Sequence, residues 1–313
     1  MYYLGFDIGG TKTAVSLGKV NNNDINIIFR KEVKTTSNPI ETLKPLIKEA
    51  KELQKNYVII SAGISCGGPL DSKKGIILCP PSLPGWENFP ICKYLKDELN
   101  LETYLENDAN ACAVAEHLFG AGIGVKNMVF ITFGTGFGAG LIIDNKLYSG
   151  ANDNAGEIGH IRLTKKGPIG YNKEGSLEGW ASGGGIARLA KMMVSKEKEM
   201  PECVINMGGI EKITTKSLAE YAHKGDKFAK KVFRKSGKML GKGLAILIDI
   251  INPELIVIGG VFMRSGDLLI PSMKRELKKE CLSYSLKACK VVPAKLSENI
   301  GDYAAISIAI RIN

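Results

Sequence analysis

The chain has 313 residues, 44% of them hydrophobic and 24% charged, which is the composition of an ordinary globular protein. That length exceeds one small core and suits two domains, or one large domain with a cleft. No run of about 18 apolar residues occurs and the N-terminus MYYLGFDIGGTK has no basic, apolar leader pattern, so neither a membrane span nor a secretory signal is expected.

Residues 2–7 form a short apolar run ending in DIGGTK, and 13–20 alternate, which reads as strand, tight Gly-Gly turn, strand. Helical periodicity covers 40–56. A buried strand is expected over 57–65, ending in the turn CGGPLD. Pro80, Pro81, Pro84 and Gly85 mark a loop before Trp86, and strand-like TYLEND leads into a helix over 109–119. The pattern then restarts: 127–132 is apolar and β-rich, ends in FGTGFGAG, and resumes as a strand over 140–144 with a hairpin turn at Asn145-Lys146. Two strand–glycine turn–strand units suggest duplicated domains, each offering a glycine turn to a shared cleft. SGGG precedes a helix around Arg188, where packing is favoured over anion binding. Residues 224–243 have basic residues at helical spacing around Phe228, Val232, Phe233 and Leu240, an amphipathic helix with a wet face. Residues 246–251 are helical, 255–258 a strand, Gly259-Gly260 another tight turn, and GDYAAISIAIRI a helix.

The net charge of +10 reads as a lysine-rich solvated surface, because no aromatic-interleaved basic patch or helix-turn-helix pattern accompanies it. Nucleic acid is not an expected partner. The seven scattered cysteines contain no CxxC pair and read as reduced thiols of a cytoplasmic protein. His117 and His223 belong to no constellation and read as surface or packing residues. Trp86 and Trp180 read as loop anchors, Trp180 beside Glu178.

Glycine turns let backbone N–H groups approach phosphate oxygens without a Cβ in the way. In DIGGTK, Asp7 adds a carboxylate at a strand end, able to hold Mg²⁺ directly or through water, and Thr11 and Lys12 add a hydroxyl and a positive charge. Neither turn is a Walker A loop, and neither is a dinucleotide-binding GxGxxG, because each opens a hairpin. In ENDANACAVAE, Asp108 stands between a strand and a helix. It reads either as a helix N-cap or as the base that accepts a hydroxyl proton during phosphoryl transfer.

Taken in order, DIGGTK, ENDANACAVAE, FGTGFGAG, GEIGH and INPELIVIGG resemble the ROK family of sugar kinases and repressors over nearly the whole chain. The resemblance implies an α/β, actin-like ATPase (ribonuclease H-like) fold of two domains with a central cleft. It places an N-terminal α/β domain over 1–118, joined by a C-terminal helix over 299–313, and a C-terminal α/β domain over 119–298. It implies ATP-dependent phosphorylation of a hexose at the 6-hydroxyl. Asp108 matches the catalytic base, and Gly68, Asn107, Asp108, Glu157, His160 and Glu178 match sugar-binding positions. Asp7, Gly9, Gly10, Thr11 and Lys12 match the first phosphate motif, Gly134, Thr135 and Gly136 the second, and Gly259 and Gly260 the adenosine motif. ATP and Mg²⁺ are the implied cofactors, a small sugar the partner, and a homodimer the implied assembly.

Three departures stand out. The family's zinc-binding cysteines are replaced by Ile169, Tyr171 and Ser176, so no zinc is expected; packing of Ile169 and Tyr171 is expected to hold the loop, leaving His160 to the sugar. Ser82 stands where Asn is common and Gly67 where Pro is common, which leaves glucose and N-acetylmannosamine both open as substrates. Repressor members carry a DNA-binding segment ahead of the first phosphate motif; with that motif at Asp7, none is expected. A sugar-binding regulatory protein without significant turnover is the alternative from another class, and polyphosphate an alternative donor.

Overall fold

The structure is a computed structural model that describes residues 1–21, 24–296 and 300–310. β1 (Tyr2–Ile8) and β2 (Lys12–Asn21) form the expected antiparallel hairpin, with the glycine turn between them. A further strand, β3 (Asp24–Lys34), pairs with β2 and goes beyond the sequence expectation. It is an edge strand whose only fully buried residue is Ile25, so it lacks the apolar run that marks a strand. Asn38 caps α1 (Pro39–Asn56), accepting the N–H groups of Ile40 and Glu41. Next come β4 (Ile59–Cys66), the small hairpin β5 (Leu70–Asp71) and β6 (Ile76–Ile77), α2 (Ile91–Leu99), β7 (Thr103–Asn107) and α3 (Asp108–Phe119).

The second half runs β8 (Met128–Phe133), β9 (Phe137–Ile143), β10 (Lys146–Leu147), the hairpin β11 (Ile169–Gly170) and β12 (Lys173–Glu174), then α4 (Leu177–Ala181), α5 (Gly183–Val194), α6 (Glu202–Asn206) and α7 (Thr215–His223). It ends with α8 (Lys227–Ile251), β13 (Leu255–Ile258), α9 (Val261–Glu280), α10 (Ser283–Ala288), β14 (Lys290–Pro293) and α11 (Ile300–Ile310). Of the expected C-terminal helix over 299–313, residues 299 and 311–313 lie outside the described residues.

Two local expectations are corrected. The turn before β10 is Asp144-Asn145, both at positive φ, not Asn145-Lys146; short polar side chains tolerate that backbone. Residues 224–243 and 246–251 join into one 25-residue helix, because Leu244, Leu247 and Ile248 continue the buried stripe through the glycines. The turn at Gly259-Gly260 leads into α9. Gly260 has φ 64° and lies against the Phe133 carbonyl, a conformation and a closeness that a Cβ would forbid.

The two five-stranded sheets have orders β3-β2-β1-β4-β7 and β10-β9-β8-β13-β14. When only the strands of each sheet are numbered in chain order, the order is the same in both. In the first sheet, Leu4, Phe6 and Ile8 point into a core with Leu43, Leu46, Leu95 and Trp86, which covers one face with α1 and α2. Tyr3 and Ile25 point the other way, to Phe119 of α3 and Ile306 and Ala309 of α11. The α11 backbone lies directly on β4: a Cβ on Gly63 would run into the Ala305 carbonyl and the Ala309 amide. In the second half α8 packs on α9, α4 and α5. The chain divides into two compact units, one of Met1–Phe130, Gly140–Ala155 and Lys295–Asn313, the other of Ile131–Ala139 and Gly156–Ala294. No helix among the described residues is long and apolar enough to cross a membrane.

Candidate active site

In the first unit the turn after β1 is cross-tied. The Gly9 N–H donates to the Lys12 carbonyl at 3.0 Å, and the Thr35 hydroxyl donates to the Gly9 carbonyl at 2.6 Å. The Thr35 N–H donates to the Thr11 carbonyl at 3.0 Å. Gly10 sits on Ser82, where a Cβ would strike the Ser82 carbonyl. The Lys12 ammonium is already paired, 2.5 Å from Glu32 Oε1, so a phosphate would compete with Glu32 for it. Glu32 also takes Arg30, whose Nε lies 2.9 Å from Asp302 Oδ2, and Asp302 in turn accepts the Ser16 hydroxyl.

Asp7, one residue from the end of β1, faces this network. Burial, then the charges of Asp302 and Asp108, push its carboxyl up to about 6, with Arg30 opposing. Four carboxylates, Asp7, Asp302, Asp108 and Glu32, against one guanidinium are a local excess of negative charge, and among the described residues no three ligating side chains are gathered for a metal ion. Asp302 and Arg30 were not legible as site residues, since each comes from an element whose proximity only folding creates.

Asn107 ends β7 and caps α3: its Oδ1 accepts the Ala109 N–H at 3.0 Å. The cap is therefore Asn107, and Asp108 is the first helical residue, which sets aside the N-cap reading of Asp108. The Asp108 Oδ1 also accepts the Ala109 N–H, at 2.8 Å. Its Oδ2 faces Gly67, 4.0 Å from where a Cβ would stand, with the Ser82 hydroxyl 3.9 Å from the same point. Gly68 is tighter: a Cβ there would stand 3.2 Å from the Asn107 side-chain amide. Gly67 in place of proline thus opens ground in front of the carboxylate. The Asp108 side chain reaches solvent, yet protein crowds it on its other sides, and burial holds its carboxyl above the ordinary range against two backbone hydrogen bonds that lower it. Burial, with the charges of Asp108 and Asp7, keeps the Cys66 and Cys112 thiols far above the normal range, so both are neutral neighbours. Behind Asn107, buried Glu106 accepts the Asn107 N–H and the Asn110 amide, each at 2.9 Å, and so fixes the strand-to-helix junction.

In the second unit the turn between β8 and β9 is held by the N-terminus of α5. The Gly183 N–H donates to the Gly134 carbonyl at 2.8 Å and the Gly184 N–H to the Thr135 carbonyl at 3.3 Å. SGGG therefore packs against this turn. Glu178 Oε2 accepts the Phe137 N–H at 3.2 Å and lies 3.0 Å from where a Gly136 Cβ would be. Gly260 touches Phe133 and Gly134, and the Gly259 N–H donates to the Ile131 carbonyl at 2.9 Å, so Gly134, Gly136, Gly259, Gly260 and Glu178 cluster at one end of β8. Gly156 and Gly159 press on the carbonyls of Ala139 and Phe137, which seats the turn carrying Glu157 and His160 on β9. Both of those side chains are exposed, and the His160 ring meets the Tyr171 ring edge-on at 6.2 Å.

The loop at 165–178 corrects one expectation. Ile169 and Tyr171 do not pack it together; they are 54% and 64% exposed. Polar bonds hold it instead. Ser176 is fully buried, donates to the Gly170 carbonyl at 3.2 Å and accepts the Gly179 N–H as the cap of α4. The Trp180 indole donates to the Thr164 hydroxyl at 2.9 Å. With the Ser176 hydroxyl so engaged and no donor atom on Ile169, these residues do not fit a zinc ion. The His117 Nε2 donates to the Val125 carbonyl at 2.9 Å, and His223 pairs with Asp267 at the surface.

The ROK family profile matches residues 3–312. The glucokinase of Streptomyces coelicolor is 30% identical over 313 residues, covering 98% of this chain and 96% of the relative. A ROK glucokinase from Streptomyces griseus, solved with glucose and AMPPNP, superposes with a TM-score of 0.80 at 28% identity, covering 99% of each chain. The xylose repressor of Caldicellulosiruptor bescii is 27% identical over 271 residues, covering 86% of this chain and 67% of the relative. The fold is the two-domain actin-like ATPase fold of these sugar kinase structures. By a profile match that spans both glycine turns, the Asp108 junction and the 259–260 turn, the chain belongs to the ROK family.

Proposed function

We propose that this protein transfers the γ-phosphoryl group of ATP to the 6-hydroxyl of a hexose of the glucose or N-acylhexosamine (N-acetylmannosamine) class. It is an ATP-dependent sugar kinase, a phosphotransferase with an alcohol acceptor. The observation that carries this reading is Asp108, held at the start of α3 with its free oxygen facing the side-chain-free ground at Gly67. Phosphoryl transfer asks little covalent help of a protein; it needs placement, charge neutralisation and one base.

Asp108 takes the proton of the sugar hydroxyl as the bond to phosphorus forms. Burial makes it a stronger base than an ordinary aspartate, while backbone hydrogen bonds at the start of α3 act in the opposite direction. Gly68, Asn107, Glu157, His160 and Glu178 bind the sugar; carboxylates accept paired hydroxyls, and the imidazole offers a donor or an acceptor. Gly9 shapes the first turn, and the amides of Gly10 and Thr11, the Lys12 ammonium and the turn at Gly134, Thr135 and Gly136 bind the phosphates. Gly259 and Gly260 give the adenosine its backbone-lined berth. Asp7 would hold Mg²⁺, which when bound neutralises charge on the phosphates. The AMPPNP held by the Streptomyces griseus glucokinase supports a nucleoside triphosphate as donor. A cytoplasmic homodimer, without nucleic acid or membrane as partner, completes the proposal.

The xylose repressor resemblance favours a second reading, a sugar-responsive regulator without turnover. Presence of the base argues for the kinase. A coupled ADP-release assay over glucose, mannose, fructose, allose, N-acetylglucosamine and N-acetylmannosamine decides between them. At least one sugar should give ATP-dependent, magnesium-dependent turnover; sugar binding with no ADP release from any would establish the regulator.

A further inference from the structure

The second glycine turn has no positive charge of its own: FGTGFGAG, residues 133–140, holds no lysine or arginine. A cation reaches it from α5. Arg188 lies four residues beyond Gly184, and its guanidinium folds back over the start of the helix. Its Nη1 lies 3.0 Å and its Nη2 3.4 Å from where a Gly184 Cβ would stand, and the Thr135 carbonyl oxygen is 3.0 Å from the same point. Arg188 is exposed and has no carboxylate partner among the described residues. Lys12 at the first turn differs in this respect. A phosphate would have to displace Glu32 from Lys12, and would displace nothing from Arg188.

Long side chains on a helix ordinarily lean toward its N-terminus, and a merely solvated arginine would lean the same way. Solvation does not account for where this one ends. The start of a helix is its positive end, and a cation there is unfavourable unless an anion is near. The first turn of α5 has no acidic residue to offset it. The Glu178 carboxylate accepts the Phe137 amide at 3.2 Å instead. The amides of that first turn are engaged: Gly183 and Gly184 donate to the Gly134 and Thr135 carbonyls, and Gly185 to the Ser182 hydroxyl. The guanidinium therefore stands with free donors beside a glycine turn, at a helix end that favours an anion. A planar fork of N–H donors matches phosphate oxygens.

We propose that Arg188 binds the phosphate chain of the nucleotide at the second glycine turn. It is a further nucleotide-binding residue, and it brings the charge that Gly134, Thr135 and Gly136 lack. Gly184 leaves the ground on which the guanidinium rests. The identity of the anion, a nucleoside polyphosphate, rests on the kinase reading; the demand of Arg188 for an anion does not.

The test is calorimetric titration of the full chain with magnesium ATP, adenosine and tripolyphosphate, beside steady-state kinetics. The proteins are the wild type, Arg188→Ala and Arg188→Lys. Arg188→Ala should weaken ATP and tripolyphosphate by about tenfold or more, the loss of charge-assisted hydrogen bonds, and raise the ATP KM to match. Adenosine binding should not change. Arg188→Lys should recover part of the loss, since it keeps the charge without the fork. The ligand-free Tm of Arg188→Ala should hold or rise, because a cation leaves the positive end of α5. A fall in Tm together with lost ATP binding would make the residue structural and overturn the proposal. So would an equal loss for adenosine, which would put the guanidinium on the base. Sugar turnover with an unchanged ATP KM in Arg188→Ala sinks the inference and leaves the kinase standing; Arg188-dependent tripolyphosphate binding in a protein that turns over no sugar does the reverse.

Discussion

The two glycine turns make an instructive pair. Each joins the first two strands of a five-stranded sheet, and the two sheets have the same strand order. Their charged surroundings differ. The first turn has a carboxylate, Asp7, at the strand end, set among Asp302, Asp108, Glu32 and Arg30. At the matching place before the second turn stands Thr132, two residues ahead of Gly134 as Asp7 is ahead of Gly9. The second turn receives its carboxylate from elsewhere, Glu178, and spends it on the Phe137 amide. In the proposed function, one architecture thus serves a cation and base chemistry at the first turn and backbone contacts with an anion at the second. Architecture is shared because strand order follows from the hydrophobic pattern. Chemistry is separable because single polar positions at strand ends do not affect packing.

Changing the base on the first side should have the largest effect. Asp108→Asn should lower kcat by about 10²–10⁴-fold with sugar binding retained, since the proton acceptor and its charge are both removed. Near-normal turnover would dissolve the distinction between the two sides. The next effect is pH dependence. The folded Asp7 carboxyl titrates near 6 against 3.8 ordinarily, so the folded state holds the extra proton. That contribution is fully present below about pH 4 and is lost as pH rises through about 6, roughly 3 kcal/mol in the magnesium-free protein. Asp7→Asn should flatten this slope in denaturation curves from pH 4 to 7, and magnesium should raise the Tm of the wild type more at pH 7 than at pH 5.

Smaller effects separate the turns sterically. Gly10→Ala drives a Cβ into the Ser82 carbonyl and should destabilise by about 1–3 kcal/mol. Gly134→Ala meets nothing closer than 4.0 Å, so it should leave the Tm nearly unchanged while raising the nucleotide KM, because the methyl occupies phosphate ground. Equal melting losses in both variants would show that the second turn is as tightly packed as the first. Least of all, His160→Ala should raise the sugar KM by about tenfold, the worth of one hydrogen bond, with the Tm unchanged. A fall in Tm would assign the exposed imidazole a structural role against Tyr171.

Much of the fold was legible because its signals are local. The hairpin at 2–20, the helix at 109–119 and the strand at 255–258 announce themselves by period and punctuation. β3 did not, because half of an edge strand faces water and its sequence is charged. Glu178 was legible as a ligand-type residue, but its bond to the Phe137 amide was not. Ile169 and Tyr171 looked like replacements for a metal by apolar packing; they are exposed, and the loop is held by Ser176, whose small hydroxyl reads as unremarkable in sequence. Asp302 gave no signal at all, since its partners Ser16 and Arg30 lie at the far end of the chain.

What the amino-acid order determined by itself was the duplicated strand–turn–strand plan, the two glycine turns and a carboxylate between β7 and α3, because hydrophobic period and glycine placement act over a few residues. Only the tertiary structure decided which charges surround Asp7, which residue caps α3, and which backbone amide Glu178 holds. Electrostatic and hydrogen-bond partners depend on through-space distance, and residues distant along the chain come within a few ångströms only once the helices have packed.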